Sequence, residues 1–486
     1  MSTMLDPGGR ARPETGGPAA TQTLADVPQA RRCPVRAPRT TQRDGQQGLQ
    51  RDLRPDQPRH DQPRHDQPRH DQPRHDQPRQ DRPRGDRARH DQSRQDQSRE
   101  QHRDLPRDGR RDGNRDQRRA PSPIVQVSLD GNRPAWLVLG YRELHFVLSS
   151  PEIFTCDPRH RARRGPVSPD WAPLPGAGRR PSLLHTDGDE HRRRYRAIND
   201  VLSDVDVFLL RARAEAVTDS VIDEFAGTGS ADLISAFAHQ VPALALASLC
   251  GPDDLGADEI ADDLVALVDN RSDAVRGHRR LLDRLRGLLA DRLDEPSDDI
   301  ISTLVDHPEE LTDDEIVEDL AVVLGLGMRT VTAWIGTSLR LLLTDGSFAL
   351  ELSGGRRSVM QALTQVLWED TPVQVAAGRW AARDIQLGGQ HIQAGDMIAL
   401  GLAAANSDPR VTGAGTNSAH LSFGHGAHRC PYPAQEIAEV ITRTAIEVLL
   451  DRLPNIRLAV PAEALVWRRT AWNRALTALP VRFSPV

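Results

Sequence analysis

Phe423, Gly424, Gly426, His428 and Cys430 follow one another as Phe-Gly-x-Gly-x-His-x-Cys, which brings a lone cysteine to the end of a glycine-loosened loop. Directly after it, Ala434, Ile437, Val440, Ile441, Ala445 and Val448 recur at helical spacing. A helix start offers unpaired backbone N–H groups and the positive end of the dipole, and both favour a thiolate over a thiol. Glycines let the backbone pass close to a flat ligand, and a thiolate is a strong axial ligand for haem iron. The plainer alternative is an inert cysteine in a glycine-rich turn.

Several elements must hold that loop. The longest helical pattern runs from Leu311 to Leu343, opened by a capping box of Thr312 and Glu315 and apolar on most faces from Ile316 onward. Gly325 and Gly327 lie inside it, where each costs roughly 1 kcal/mol against alanine, which points to close approach of a ligand or a local opening of the helix. A second helix reads from Ser358 to Asp370, stopped by Thr371-Pro372. Ile385 and Leu387 alternate with polar residues before Gly388-Gly389, a hairpin signal. Upstream, Leu184 to Asn199 carries the basic run His191 to Arg196, which as a plain helix face would be solvated.

Taken together, these residues resemble the cytochrome P450 family over roughly 121–486, most specifically in the C-terminal part. The resemblance implies a mainly α-helical, prism-shaped domain with small β-sheets, holding one haem b with its iron ligated by Cys430. It aligns Phe423, Gly424 and His428 with the haem-binding loop, and Arg379 with the arginine that holds a haem propionate. His191 falls on the family's propionate-binding histidine. Four residues on, where the family has an arginine, stands Tyr195, so Arg196 is the neighbouring candidate.

Leu326 to Val331 aligns with the distal helix pattern A/G-G-x-D/E-T-T/S, and Thr330 matches the threonine that assists proton delivery during oxygen activation. Thr330 on its own reads equally as a helix threonine bonded to a preceding carbonyl. Arg329 stands where the family has an acid, and a guanidinium, charged at any relevant pH, cannot relay protons as a carboxylate does. Both partners of the family's Glu-x-x-Arg ion pair are replaced, by Gln365 and Trp368. Replacing both members of a buried pair can be nearly neutral, so this reads as a compensated change. Tyr432 replaces a family glycine after the cysteine and raises the question of how closely that helix packs on a porphyrin.

The chain has 486 residues, a formal net charge of −6 and only four cysteines, Cys33, Cys156, Cys250 and Cys430. That balance favours neither a nucleic-acid partner nor a membrane surface, no disulfide framework is expected, and no apolar run is read as long enough to span a bilayer. A reduced, cytoplasmic, soluble protein is the plain reading. Residues 1–120 differ sharply from the rest: Asp56 to Gln80 repeats Asp-Gln-Pro-Arg-His, and a proline every five residues with no core-forming side chains predicts a disordered tract. Its His60, His65, His70 and His75 fit neither a helical face nor a zinc finger.

The resemblance implies a haem-thiolate monooxygenase that inserts one oxygen atom from O2 into a small organic substrate. Electrons would come from NAD(P)H through a ferredoxin and a ferredoxin reductase. The alternative is a haem-binding relative with an auxiliary or signalling role, which Arg329, the Gln365/Trp368 pair and the N-terminal tract suggest. A haem-free helper of another enzyme is a third reading, which the retained Cys430 disfavours.

Overall fold

The computed structural model describes residues 22–23, 122–129, 133–161, 181–251, 257–268, 271–346, 348–349, 358–411, 417–468, 470 and 472–486. The pentapeptide tract, and with it the expectation of disorder there, lies outside these residues.

Strands β1 (Gln22–Thr23), β2 (Ile124–Leu129), β3 (Arg133–Val138), β4 (Phe154–Thr155), β6 (Ala376–Ala381) and β9 (Met397–Leu400) form one sheet in the order β1-β2-β3-β9-β6-β4. Here β1 pairs in parallel with β2, Gln22 opposite Val127, which puts two residues of the 1–120 tract on a sheet edge where no ordered element was expected. A three-stranded sheet joins β10 (Arg457–Leu458), β11 (Pro480–Arg482) and β5 (Ser230–Asp232). The hairpin of β7 (Ile385–Leu387) and β8 (Gln390–Ile392) turns at Gly388 and Gly389, with φ of 53° and 81°. Positive φ at both central residues is the demand of a type I′ turn, and it accounts for the glycine pair.

The helices are α1 (Tyr141–Ser149), α2 (Gly188–Ser203), α3 (Val207–Ala226), α4 (Gln240–Ala247), α5 (Ala257–Val268), α6 (Arg271–Asp294), α7 (Ile300–Val305), α8 (Asp313–Thr344), α9 (Val359–Glu369), α10 (Leu402–Asn406) and α11 (Tyr432–Arg452). The predicted capping box at Thr312 and Glu315 opens α8, and Ser358 with Gln361 opens α9 the same way. The main core gathers side chains of α2 to α9 and α11, among them Leu246, Leu324, Trp334, Leu363 and Ile441.

Two expectations about α8 are corrected. The helix runs unbroken through Gly325 and Gly327, so the glycines do not open it. By length and composition α8 is also apolar enough to cross a membrane, although no such run was read from the sequence. Most of that stretch is buried against other helices, and a helix hydrophobic all round is what a central core position requires.

The basic run of α2 is only in part a solvated face, at Arg192 and Arg196. Arg194, 1% exposed, bonds Asp319 of α8 through Nε at 2.7 Å, while Arg193 pairs with Glu315 and Arg196 with Glu309. Asp319, wholly buried, also accepts from the Leu183 N–H at 2.6 Å. Stranding either member of such a buried pair costs roughly 3–5 kcal/mol, so this contact fixes α2, and His191 on it, against α8.

Candidate functional site

The cysteine loop is closed by backbone bonds: Gly424 N–H donates to Leu421 O at 2.9 Å and Cys430 N–H to Phe423 O at 2.9 Å. Gly424 and Gly426 both take φ of 75°, and a Cβ on Gly426 would run into the Leu148 carbonyl of α1. Their immediate need is thus the turn and the contact with α1. Phe423 packs edge-on against Trp334 of α8, ring centroids 6.1 Å apart. Burial pushes the Cys430 thiol up to about 12, so in the protein alone desolvation outweighs the helix start that was expected to favour the thiolate. A thiol so placed ionises when a metal coordinates it. Tyr432 is 65% exposed and does not wedge between α11 and the loop.

Beside the loop lies a polar cluster. His428 Nε2 meets Asp187 Oδ1 at 2.9 Å, and its ring centroid is 3.8 Å from that of His191. The other Asp187 oxygen accepts from the N–H groups of Cys156 (2.8 Å) and Asp157 (2.9 Å) and from the Thr155 hydroxyl. Burial alone would raise Asp187, but the bonds from His428, Thr155 and Asp157 hold it at about 2. Burial lowers His428 to about 4, the bond to Asp187 opposing and the charge of Arg379 adding to the effect. The ring nitrogens of His191 sit 3.2 Å from the carbonyls of Leu183 and Ala427, and burial first, then Arg379, lowers it too. Arg379, on β6 and 5% exposed, reaches the Cys156 thiol, yet its Nη1 has no partner.

Cys156, Asp187 and His428 offer ligand atoms within 4.8 Å of one another, formally a cation site. The chemistry argues otherwise: the Arg379 guanidinium adjoins the set, and burial holds the Cys156 thiol at about 11. A buried arginine with an unpaired donor, backed by two imidazoles, is instead short of an anion. The Tyr195 hydroxyl, its ring 5.7 Å from His191, and both nitrogens of His185 are also buried without partners. These orphaned groups belong to the cluster around His428, two residues before the half-buried Cys430, and fit the carboxylates and iron of a haem. Arg196 is not brought to this cluster; it is exposed on its bond to Glu309.

On α8, Thr330 Oγ1 donates to the carbonyls of Leu326 (2.9 Å) and Gly327 (3.2 Å). Arg329, next on the helix and so about 100° away around its axis, turns elsewhere and donates to Leu267 O at 3.0 Å. The two residues aligned with the distal pattern therefore face different surroundings.

The positions of the missing ion pair still tie α9 to the cysteine loop. Trp368 Nε1 donates to Asn417 O at 2.8 Å, and its ring meets His420 edge-on at 5.9 Å. Asn406 Nδ2 donates to Leu367 O at 3.1 Å while its oxygen accepts from Leu421 N–H at 2.8 Å, and Ser422 Oγ donates to Leu367 O at 2.7 Å. Gln365 Nε2 donates along its own helix to Glu369 Oε1 at 3.1 Å. Asp187, Cys156 and this Asn406/Ser422 link were not found from the sequence. Asp187 precedes an amphipathic helix, an N-cap signal, but no local pattern announces a partner 241 residues away.

No family model matches the chain. It is 27% identical over 387 residues to cytochrome P450 107B1 of Saccharopolyspora erythraea, covering 75% of this chain and 93% of that protein. It is 28% identical over 382 residues to the mycinamicin IV hydroxylase/epoxidase of Micromonospora griseorubida, covering 74% and 92%. Among solved structures, the cytochrome P450 PksS of Bacillus subtilis 168 superposes with a TM-score of 0.66 at 27% identity, over 75% of this chain and 94% of that one. With the cysteine loop, the anion-seeking cluster and the helical fold agreeing with these similarities, the chain belongs to the cytochrome P450 family, a P450-type oxidoreductase whose cofactor is haem b.

Proposed function

We propose that this protein is a monooxygenase that inserts one atom of O2 into a small organic molecule, using electrons delivered from NAD(P)H by a ferredoxin and its reductase in the cytoplasm. The observation that carries the reading is the unpaired Nη1 of Arg379 beside His191 and His428, the latter two residues before the half-buried Cys430. Haem bound there supplies the capacity to activate oxygen, with a thiolate ligand that favours O–O cleavage.

The chain's own residues would do the rest. Cys430 Sγ would ligate the iron from a loop held by Phe423 and the turn at Gly424. Arg379 Nη1 and the His428 and His191 rings would bind the propionates by charge-assisted bonds. Arg196 would serve the docking of α2 rather than the cofactor, through Glu309. Thr330 Oγ1, its proton directed at Leu326 O, keeps lone pairs open to accept from a water and pass a proton onward. Arg329 leaves that water without a neighbouring carboxylate on the helix.

The relatives named as acting on mycinamicin IV and 6-deoxyerythronolide B make macrolides and their lactone precursors the first substrates to try. The test is turnover of such a panel under labelled dioxygen with a bacterial ferredoxin, its reductase and NADPH. One labelled oxygen per product supports the reading. Oxidation of NADPH with dioxygen reduced only to hydrogen peroxide, for every candidate, would favour the auxiliary role, for which the lack of an acid at Arg329 speaks.

A further inference from the structure

The four arginines of the basic run on α2 are all spent on protein carboxylates: Arg192 on Asp189, Arg193 on Glu315, Arg194 on Asp319 and Arg196 on Glu309. The rings of the polar cluster are engaged as well. His191 meets the carbonyls of Leu183 and Ala427 at 3.2 Å with its two nitrogens, and His428 Nε2 meets Asp187 Oδ1 at 2.9 Å. Either ring turns these nitrogens to a cofactor only by exchanging a bond that it already makes. For the two carboxylates of a haem, the uncommitted cationic donor of the cluster is Arg379 Nη1.

Tyr195 and His185 carry the other uncommitted donors. Tyr195 lies one turn beyond His191 on the same face of α2, ring centroids 5.7 Å apart, and its hydroxyl is buried with no partner. His185 sits against β6: its Cε1 is 4.0 Å from where a side chain on Gly378 would begin, and Gly378 adjoins Arg379. Both of its ring nitrogens are buried without a partner. An unmatched buried donor costs about 1–3 kcal/mol, and three residues with such donors around one cluster call for an acceptor from outside the chain.

We propose that Tyr195 and His185 are cofactor-binding residues, the Tyr195 hydroxyl and the His185 ring each donating to a haem carboxylate alongside Arg379. The proposal rests on the haem-binding reading of the cysteine loop. Burial disfavours the charged form of His185, so a phenol and a neutral imidazole would hold the carboxylates without the positive charge of a second arginine. Fixed positive charge near a haem favours its reduced, more negative state, so these two residues would leave the reduction potential lower than an arginine would.

The experiment follows haem transfer from the haem-loaded full chain to excess apomyoglobin, together with the reduction potential of the same samples. Tyr195→Phe keeps the ring against His191 and deletes only the donor. Its haem should leave about tenfold faster, the loss of one hydrogen bond to a charged group, and its potential should fall. His185→Phe should act in the same direction. Tyr195→Arg, which supplies a fixed cation at that place, should hold haem at least as long as the parent and raise the potential. A merely structural tyrosine would not order the potentials as Phe below parent below Arg. Parent-like haem loss in the Phe variants, or a Tyr195→Arg potential no higher than the parent's, would overturn the proposal while leaving haem binding intact. A parent chain that takes up no haem would overturn the cofactor assignment with it. If Tyr195→Phe fails to fold, His185→Phe and Tyr195→Arg carry the same comparison.

Discussion

At the scale of single residues, burial sets the protonation of the histidines and cysteines around the cysteine loop, whereas hydrogen bonds set that of Asp187. His420 is the clearest case. It lies 5.9 Å from the Trp368 ring and 5.8 Å from the Phe423 ring, and burial lowers it from 6.5 to about 4. A histidine with a lower folded than unfolded value contributes its full stability above pH 6.5 and loses it as pH falls toward about 4. The loss amounts to about 3 kcal/mol. His420→Phe keeps an aromatic ring there without the proton. Its thermal midpoint should fall less steeply than that of the parent across this window, and equal slopes would show that His420 does not carry the effect. This behaviour was beyond the sequence, because nothing local distinguishes a buried from a surface histidine.

Among the elements, what was legible depended on how local the signal was. The starts of α8 and α9 follow from Thr312/Glu315 and Ser358, and the β7–β8 turn from its two glycines. The docking of α2 needed Arg194 to find Asp319, 125 residues on, and the sequence offered only a basic stripe. Trp368 is instructive in the same way. Read against the family pattern it marked a missing ion pair, whereas its indole N–H and the neighbouring Leu367 carbonyl carry the tie to residues 417–422. Trp368→Phe removes that N–H, keeps the packing on His420 and leaves the Asn417 carbonyl without this donor. We predict a destabilisation of about 1–2 kcal/mol by denaturant titration. The reduced, carbon monoxide-treated protein should also show a larger fraction of the shorter-wavelength band of a displaced thiolate. A band distribution matching the parent would mean that other contacts hold the loop.

On the scale of the whole molecule, α8 turns two neighbouring residues to different surroundings. One side holds Thr330, bonded back to its own helix; the other presents Arg329 to a cavity it shares with Arg468. Around the cysteine loop, Arg379 keeps an unpartnered Nη1 while burial holds His191 and His428 in their neutral form, so these groups offer donors to an anionic cofactor rather than an excess of fixed charge. Everything proposed about oxygen chemistry rests on Cys430 being the iron ligand. Cys156 is a rival on this surface, buried beside Arg379 and His428. The decisive measurement is the absorption spectrum of the full chain reduced under carbon monoxide, for the parent, Cys430→Ala and Cys156→Ala. We predict the red-shifted Soret band of a thiolate-ligated haem in the parent and in Cys156→Ala, and its loss in Cys430→Ala. A thiolate band that survives Cys430→Ala, or that disappears in Cys156→Ala with haem still bound, would contradict the account.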